Sequence, residues 1–406
     1  MTLAGLNKEV RTREDHVESR ILIVQYAGDY LAAYERLQQR GGEIYHAHGY
    51  VLEQATSLGA QYGDAALLCC RSPRQYEIRL PEGLTVMGAG ADPRREKAII
   101  QERARRYDPT HVVVLGPLTS VLQWGAVTGR RTLGIFADSF ETPWVRRLYR
   151  YGRLGALLNS PQIEWIANHG LNACRSLARI GVSPTKIIPW DFPHPRRPTD
   201  LTAKSEWDAS DLTLLYVGVV SKAKGVSDVI EALRYLRDRG LPFRLKIVGE
   251  GDLERFRSLA QRLNLEAHLD FLGAVSNETV LQLMRKATIV TIPSRHEYPE
   301  GMPFTIYEAL CARTPIVASD HPMFRGHLRD RETAMVFPAG HPQKLASKIE
   351  ELISCPALYY ALSAASVATW EGLQLPVKWG DLLHRWVRSS QSDHEWLSQH
   401  SLGHSL

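Results

Sequence analysis

Two glutamates that could do chemistry, Glu300 and Glu308, lie eight positions apart in the segment EYPEGMPFTIYEAL (297–310), with Gly301 and Pro303 between them. Proline suits the first turn of a helix and disfavours helical geometry in the residue before it. The segment therefore predicts that Glu300 lies in a loop, and that Glu308 lies about a turn and a half into the following helix.

The predicted start of this helix is a candidate anion site. Backbone N–H groups near 303–305 have no acceptor within the helix, and the helix dipole favours negative charge there. Gly301 would let the backbone approach a ligand closely. An anion site flanked by two carboxylates suits a sugar nucleotide, whose hydroxyls would donate to the acids. Alternatively, Glu300 is a loop charge and Glu308 a helix-surface charge, and the pair by itself does not decide between these interpretations.

The elements that position these residues are predicted from apolar runs. In the first half of the chain the runs are continuous rather than alternating, which is typical of a parallel sheet covered on both faces. Helical segments separate them. The predicted strands are ILIVQYA (21–27), AALLCC (65–70), LTVMG (84–88), HVVVLG (111–116), TLGIFA (132–137) and IEWIAN (163–168).

The second half repeats the alternation of strand and helix. Two such halves predict an α/β fold with two doubly wound, Rossmann-like domains. Ligands of these sheets bind at the carboxyl ends of the strands, so two facing domains place the site in the cleft between them. The predicted strands are LTLLYVGVV (212–220), FRLKIVG (243–249), LDFLG (269–273), TIVTIP (288–293) and TPIVAS (314–319).

Changes in composition predict the domain boundaries. The first residues are polar and lack the apolar stretch of a signal peptide. The segment after Trp190 is rich in Pro, Asp and Ser and loses its periodicity. The predicted parts are a polar leader (1–19), an N-terminal domain (20–195), a linker (196–211), a C-terminal domain (212–370) and a C-terminal helical tail (371–406).

Length and composition exclude several classes of protein. The 406 residues favour two domains, and 44% hydrophobic and 23% charged residues are ordinary for a globular chain. The sequence contains no run of eighteen apolar residues, so it predicts no transmembrane helix. The five cysteines form no Cys-x-x-Cys pair, which predicts reduced thiols in a cytoplasmic protein. The net charge of +5 is mild, and without a nucleic-acid-binding motif we expect no nucleic-acid partner.

The common cofactor fingerprints are incomplete. GAGADP (88–93) and GEGDLE (249–254) begin with Gly-x-Gly after a strand, but the third glycine of a dinucleotide-binding loop is missing from both. There is no G-x-x-x-x-G-K-[ST] loop. There is also no Asp-x-Asp pair of the kind that holds a divalent cation beside a sugar nucleotide. We therefore expect no cofactor and no catalytic metal.

The segment PSRHEYPEGMPFTIYEALCARTPIVASD resembles the Glu-x7-Glu signature of the retaining glycosyltransferases of group 1, which adopt the two-domain GT-B fold. The neighbouring motifs follow that family's order over about 212–354, and the resemblance is looser in the first half. The motifs are LLYVGVVSKAKGVSDVIEAL for the strand, glycine and Lys-Gly turn, LKIVGEGDL and LDFLGAVSNETV for the next two strand ends, and AMVFPAGHPQKLASKIEELI for the closing strand and helix.

The resemblance implies roles by position. Glu308 matches the glutamate that holds the nucleotide ribose, and Glu300 matches the one that contacts the donor sugar. Lys224 would neutralise the diphosphate, which the amides at the start of the helix would hold. The further donor-binding residues that it implies are Gly301, Met302, Pro303, Phe304, Thr305, Gly218 and Gly249.

The sequence departs from the family at two places. The family commonly has an arginine directly after the glycine matched by Gly218, and Val219 stands there instead. Either Lys222 or an arginine of the N-terminal domain replaces it, or the leaving group is less stabilised. The segment HPMFRGHL (321–328) also lacks the usual glycine pair and glutamate.

The first half offers three more candidates. RGGEIYHAHGYVLEQA resembles the family's Gly-Gly loop, so Gly41 and Gly42 are candidate donor contacts, with a simple turn as the alternative. FADSFETP (136–143) lies where the family often has His-Asp beside the reacting sugar. Asp138 is therefore the candidate base on the acceptor side, unless the leaving phosphate itself takes the proton, as is thought for many retaining enzymes of this fold.

The resemblance implies an enzyme that moves a sugar from a nucleotide-diphosphate sugar to a hydroxyl acceptor, with retention of configuration. The acceptor would be a precursor of a cell-surface glycan, glycolipid or polysaccharide. The alternatives are a catalytically degenerate, sugar-nucleotide-binding regulatory protein, which Val219 favours, and a GT-B epimerase. The basic, aromatic segment WVRRLYRYGR (144–153) suggests peripheral contact with an anionic membrane at its inner face, with a solvated helix face as the alternative.

Overall fold

Two parallel sheets organise the chain. The structure is a computed structural model that describes residues 19–26, 28–39, 42–45, 47–141, 144–206, 211–241 and 243–404. The first sheet has eight strands in the order β3-β4-β2-β1-β5-β6-β7-β8, and the second has six in the order β11-β10-β9-β12-β13-β14. All neighbouring strands are parallel except the antiparallel pair of β3 and β4.

The elements of the N-terminal sheet and its helices are β1 (Ser19–Gln25), α1 (Tyr30–Gln38), α2 (His48–Tyr62), β2 (Gly63–Cys69), β3 (Gln75–Arg79), β4 (Thr85–Ala89), α3 (Lys97–Tyr107), β5 (His111–Leu115), α4 (Thr119–Val127), β6 (Arg131–Phe136), α5 (Trp144–Leu158), β7 (Ile163–His169), α6 (Leu171–Arg179) and β8 (Ile187–Trp190).

The elements that follow are β9 (Thr213–Val217), α7 (Val226–Asp238), β10 (Arg244–Val248), α8 (Leu253–Arg262), β11 (Leu269–Gly273), α9 (Asn277–Lys286), β12 (Ile289–Ile292), α10 (Phe304–Cys311), β13 (Ile316–Ser319), β14 (Met335–Phe337), α11 (Pro342–Ser354), α12 (Pro356–Glu371), α13 (Trp379–Arg388) and α14 (Gln391–Gln399).

Both faces of each sheet are buried, as the continuous apolar runs predict. In β1, Ile21 and Ile23 join one hydrophobic cluster, while Leu22 and Val24 join the cluster on the opposite face. Leu214 and Leu215 of β9 divide in the same way between the two clusters of the second sheet. Successive residues of a strand point to opposite faces, so the central positions of these strands are apolar on both sides.

All eleven predicted strands are confirmed, and two strands of the first sheet, β3 and β8, were not predicted. Both lie at the edges of the sheet. The side chains of β3 are mostly exposed, so it carries no apolar run. Strand β8 contains Pro189, which removes one backbone donor and is tolerated at an edge. Exposure thus hides β3 in the sequence, whereas β8 is buried but only four residues long and interrupted by proline.

The C-terminal helices return to the first sheet. Trp379, Leu382 and Trp386 of α13 and Leu397 of α14 are buried in the same cluster as Ile21 of β1. The predicted helical tail therefore packs on the N-terminal domain, whereas α12 packs on the second sheet through Tyr359 and Leu362. The exact domain boundaries remain predictions.

The described helices include no single one that is long and apolar enough to cross a membrane. One pair, Pro342–Ser354 and Pro356–Glu371, passes that criterion jointly by length and composition, with a bend of 97° between the two helices.

Candidate active site

Lys224 and Glu300 meet at the carboxyl ends of two neighbouring strands. Lys224 lies in the turn after β9, and Glu300 lies in the loop after β12. The Lys224 Nζ is 2.5 Å from Glu300 Oε1, and the two side chains are 15% and 7% exposed. The Ser294 hydroxyl donates to the same carboxylate oxygen at 2.5 Å. The structure thus joins in one ion pair two residues to which the resemblance assigned separate roles.

Aromatic and imidazole groups surround this pair. The Lys224 ammonium lies 4.4 Å from the centre of the Tyr298 ring, a favourable cation–π distance. The His321 Nε2 lies 3.1 Å from the Tyr298 carbonyl oxygen. Burial lowers the pKa of His321, and the nearby Glu300 carboxylate opposes that shift. A ligand that reaches Lys224 must therefore share its ammonium with Glu300, and both side chains are largely buried.

Sequence reasoning missed His321, Ser294 and Tyr298. His321 belongs to the segment HPMFRGHL, which was interpreted only as a departure from the family. The signal that could have found it is its position directly after β13, since β13 neighbours β12 in the sheet. The carboxyl ends of neighbouring parallel strands converge on one site.

The helix of the signature is α10, and it begins at Phe304. Pro303 is the residue before the first helical turn, with extended backbone angles, rather than part of that turn. Thr305 and Phe304 form the first turn, where N–H groups lack intrahelical acceptors in any helix. Glu308 follows one turn later on the same helix. Glu300 and Glu308 are thus separated by a loop and a helix start, as predicted.

Glu308 is a partly buried carboxylate. Burial raises its pKa to about 7, and the cationic Arg196 side chain opposes this shift. The Tyr45 side chain, from the loop before α2, is half exposed. The Tyr45 ring meets the Phe304 ring edge-on at 6.0 Å. Groups from both domains and the linker therefore surround Glu308.

Gly301 lies where the two domains touch. A Cβ added at this position would be 3.1 Å from backbone atoms of Ala137, after β6, and 3.1 Å from the His169 carbonyl oxygen, at the end of β7. The close approach at Gly301 is therefore to the N-terminal domain. Met302 is buried beside it, at 3.2 Å from the Cβ position of Gly170.

Replacing Gly301 by alanine is expected to lower the free energy of unfolding by about 1–3 kcal/mol, because the added methyl group overpacks a backbone contact between the domains. Chemical denaturation measures this change. The matched control is Gly152→Ala in α5, where nothing lies within 4 Å of the added atom. That variant should be neutral or slightly more stable. Equal stability of Gly301→Ala and the wild type would contradict the expectation.

Gly218 and Gly249 lie side by side at the ends of β9 and β10. The Gly218 amide donates to the Val248 carbonyl oxygen at 3.0 Å. A Cβ on Gly249, whose φ is 133°, would be only 1.9 Å from the Gly218 carbonyl oxygen. Glycine at 249 is thus required by the contact between the two strand ends, whether or not a ligand binds there.

Val219 is 52% exposed at the mouth of this region. The Tyr216 hydroxyl donates to the Val219 carbonyl oxygen at 2.7 Å and holds the backbone in place. Lys222, one of the proposed substitutes for the expected arginine, is exposed to solvent. What replaces the arginine stays open.

The Gly-Gly loop reaches the second domain. Gly41 lies outside the described residues. A Cβ on Gly42 would be 2.9 Å from the Ser276 Cβ, at the start of α9. The Asn277 amide donates to the Glu43 carbonyl oxygen at 2.7 Å. The loop therefore bridges the two domains beside Tyr45.

Asp138 follows β6 on the opposite wall. Its backbone is held by Asn168, which accepts from the Asp138 amide at 3.2 Å and donates to the Asp138 carbonyl oxygen at 2.9 Å. Burial raises the pKa of its carboxyl to about 6; the Arg94 side chain opposes the shift, and Glu300 adds to it. Gly301, next to Glu300, approaches the backbone of Ala137, next to Asp138, so the two carboxylates lie in the same region of the cleft. A carboxylate with this pKa can accept a proton near neutral pH.

Within the part of the chain that the structure describes, no group of three or more His, Cys, Asp or Glu side chains has the geometry of a metal site. The free cysteines Cys69, Cys70, Cys174 and Cys311 are buried. The expectation that the chemistry needs no metal stays a prediction.

Two facing parallel sheets, whose carboxyl ends meet at the ion pair and the start of α10, define the GT-B fold. Residues 199–366 match the family described as glycosyl transferases group 1. The expected fold is confirmed, and so is the expected resemblance to this family over the matched segment.

Comparison with known proteins agrees with this assignment. The phosphatidyl-myo-inositol mannosyltransferase of Mycobacterium leprae is 34% identical over 163 residues, 39% of this chain and 42% of that protein. The matched region thus spans about two fifths of that relative's length. Sucrose-phosphate synthase from Thermosynechococcus elongatus superposes with a TM-score of 0.67 at 17% identity, over 92% of this chain and 100% of that one. Anabaena HepE, solved with UDP-glucose, superposes with a TM-score of 0.59 at 15% identity, over 94% and 100%.

Proposed function

We propose that this protein is a glycosyltransferase that moves a sugar from a nucleotide-diphosphate sugar to a hydroxyl acceptor, with retention of configuration and without a metal. The observation that carries the proposal is the Lys224–Glu300 ion pair at the carboxyl ends of β9 and β12, beside the loop that leads into α10. A cation, a helix N-terminus and two carboxylates together suit a leaving diphosphate next to a sugar.

Each group has a chemical role in this proposal. The amides at the start of α10 and the Lys224 ammonium stabilise the negative charge that develops on the diphosphate as the glycosidic bond breaks. Glu300 accepts hydrogen bonds from hydroxyls of the donor sugar, and Glu308 accepts them from the ribose. The acceptor hydroxyl loses its proton either to Asp138 or to the leaving phosphate.

The acceptor is proposed to be a precursor of a cell-surface glycan, glycolipid or polysaccharide. Support comes from the names of relatives, which include a phosphatidyl-myo-inositol mannosyltransferase and a putative colanic acid biosynthesis glycosyltransferase. The second relative, from Escherichia coli, is 23% identical over 242 residues.

The exposed Val219, at the position where the family carries an arginine, favours a second candidate. This candidate is a protein that binds a sugar nucleotide and has lost turnover. Measurements of binding and turnover distinguish the enzyme from the regulatory protein. The regulatory protein would bind a nucleotide sugar but neither hydrolyse nor transfer it.

The test is a thermal-shift screen of nucleotide sugars, followed by turnover with the best binder. A ligand that binds only the folded state raises the melting temperature, by an amount that increases with its affinity. At least one nucleotide sugar should stabilise the protein and be consumed. If none of the common uridine, guanosine and adenosine diphosphate sugars binds, both candidate functions are wrong.

Helix α5 is proposed to touch an anionic membrane or lipid-linked acceptor at the cytoplasmic side. Tyr149 is 96% exposed, and Arg150 and Arg153 are also exposed. The side chains of Trp144, Arg146 and Arg147 lie outside the described residues. An exposed aromatic ring among arginines suits the interface of an anionic bilayer.

The double variant Arg150→Gln/Arg153→Gln should reduce co-sedimentation with vesicles that contain phosphatidylglycerol. Each arginine near such a surface contributes about 1 kcal/mol, so the partition constant should fall about tenfold or more. The matched control, Arg255→Gln/Arg257→Gln, removes two exposed charges from α8 of the other domain. Sedimentation that does not depend on anionic lipid would refute the contact.

A further inference from the structure

A buried cluster of one carboxylate and two imidazoles lies behind the candidate active site. Asp191 follows β8 and is completely buried. The His169 Nε2 lies 2.9 Å from Asp191 Oδ1, and the His194 Nε2 lies 2.9 Å from Asp191 Oδ2. The Phe192 amide also donates to Asp191 Oδ1, at 2.8 Å. A buried carboxylate is costly unless it is paired in this way, so the cluster requires a definite geometry of all its members.

The charged and titratable surroundings of the cluster are few. The Lys378 ammonium, at the start of α13, lies 3.8 Å from Asp191 Oδ2. Burial raises the pKa of the Tyr307 hydroxyl, from α10, and the Asp191 carboxylate raises it further, so this hydroxyl carries no charge at neutral pH. Burial alone would raise the pKa of Asp191, but the hydrogen bonds from His169 and His194 hold it well below its usual range. The carboxylate is therefore ionised at neutral pH.

The two imidazoles touch the helix that carries Glu308. The His194 ring stacks on the Tyr307 ring with centroids 4.1 Å apart and an interplanar angle of 22°. The His169 ring lies 5.3 Å from the Phe304 ring. Tyr307 directly precedes Glu308, and Phe304 is the first residue of α10. The cluster thus holds both the start of the candidate diphosphate site and the neighbour of the ribose carboxylate.

We propose that His194, anchored by Asp191, is a positioning residue that fixes α10 against the N-terminal domain and thereby orients Glu308 for the nucleotide. The stack on Tyr307 holds α10 in place, and the hydrogen bond to Asp191 fixes the orientation of the His194 ring. His169 supports the same helix through Phe304, and its carbonyl oxygen abuts Gly301. The link to the nucleotide rests on the proposed function; the link to α10 does not.

The first measurement is hydrogen exchange of the α10 amides, 304–311, in the ligand-free protein. His194→Gln keeps an N–H donor for Asp191 but removes the ring that stacks on Tyr307. Exchange should accelerate about tenfold or more in α10, because the helix loses the contact that suppresses its local opening. Tyr307→Leu removes the other ring and leaves the carboxylate with both imidazoles, so it should have the same effect. The α10 amides of the double variant should exchange no faster than those of either single variant, since each substitution removes the same stacking contact.

The second measurement is the affinity of UDP, GDP and ADP, by calorimetry at a temperature where every variant is folded. The nucleotide that the wild type binds best should bind His194→Gln about tenfold more weakly. The reason is that Glu308 is no longer held in the geometry that suits the nucleotide, and small displacements of a positioned group have large effects. The matched control is Asp393→Asn. Asp393 is an equally buried carboxylate, paired with Arg385 and Arg388 at the C-terminal helices. This control should lower the melting temperature but change neither α10 exchange nor nucleotide affinity.

The outcomes separate the claims. Faster α10 exchange together with weaker nucleotide binding supports the positioning role. If His194→Gln only lowers the melting temperature, as Asp393→Asn does, the cluster merely stabilises the fold and the proposal is overturned. Should His194→Gln fail to fold, Tyr307→Leu decides in the same way. A wild-type protein that binds none of the three nucleotides overturns the proposed function, while unchanged α10 exchange overturns the positioning claim independently.

Discussion

Replacing Lys224 by methionine is expected to lower turnover by about 10²- to 10³-fold, the loss that follows removal of one preorganised group from a developing negative charge. Methionine keeps most of the apolar stem and removes the ammonium. In the structure that ammonium is 2.5 Å from Glu300 and 4.4 Å from the centre of the Tyr298 ring. No other cation of the described residues forms an ion pair with Glu300. Steady-state kinetics with the donor found by the thermal screen measures the loss.

A double-mutant cycle with Glu300→Gln tests whether the pair acts as a unit. Groups that act together lose their effect together, so the double variant should be no slower than the slower single variant. Losses that multiply would instead support two independent roles, one at the diphosphate and one at the sugar. Lys344→Met, which removes an exposed lysine of α11, is the control and should turn over normally. Normal turnover of Lys224→Met would refute the assignment.

The second large effect is a pH dependence that originates at Glu308. Its pKa is about 7 because burial disfavours the ionised form. Below pH 7 the carboxyl is protonated, and above it the stronger, ionised acceptor is present. We therefore expect the affinity for the nucleoside diphosphate to rise as the pH increases through about 7. A hydrogen bond to a charged group contributes about 1.5–3 kcal/mol, so Glu308→Gln should bind about ten- to a hundredfold more weakly at pH 8.

The stability of the ligand-free protein should change in the opposite direction. The folded protein keeps the Glu308 proton up to about pH 7, whereas the unfolded chain loses it near the ordinary glutamate value. The folded state then binds more protons within that window, so the free energy of unfolding falls as the pH rises through it. Glu308→Gln should remove the contribution of this carboxyl to both dependences. Because the nucleotide phosphates titrate as well, a pH profile that is identical in Glu308→Gln and the wild type would refute the role of Glu308.

Much of the fold could be predicted from the sequence because burial leaves a clear pattern. Central strands such as β1 and β9 are covered on both faces, so they appear as uninterrupted apolar runs. The edge strand β3 has exposed side chains and leaves no such run. The helix α13 is amphipathic in sequence, but the pattern does not say which sheet its apolar face meets. Only the packing of Trp379 and Trp386 beside β1 decides that it returns to the first domain.

The sequence by itself determined the separation of Glu300 from Glu308, because a proline disfavours helical geometry before it and permits a helix after it. It did not determine their partners. Lys224 lies 76 positions from Glu300, and the two meet only because β9 and β12 are neighbours in the sheet. The tertiary structure alone decided that Gly301 faces the N-terminal backbone and that His194 stacks on Tyr307. Local residue preferences act over a few positions, whereas these contacts depend on how two separate sheets pack.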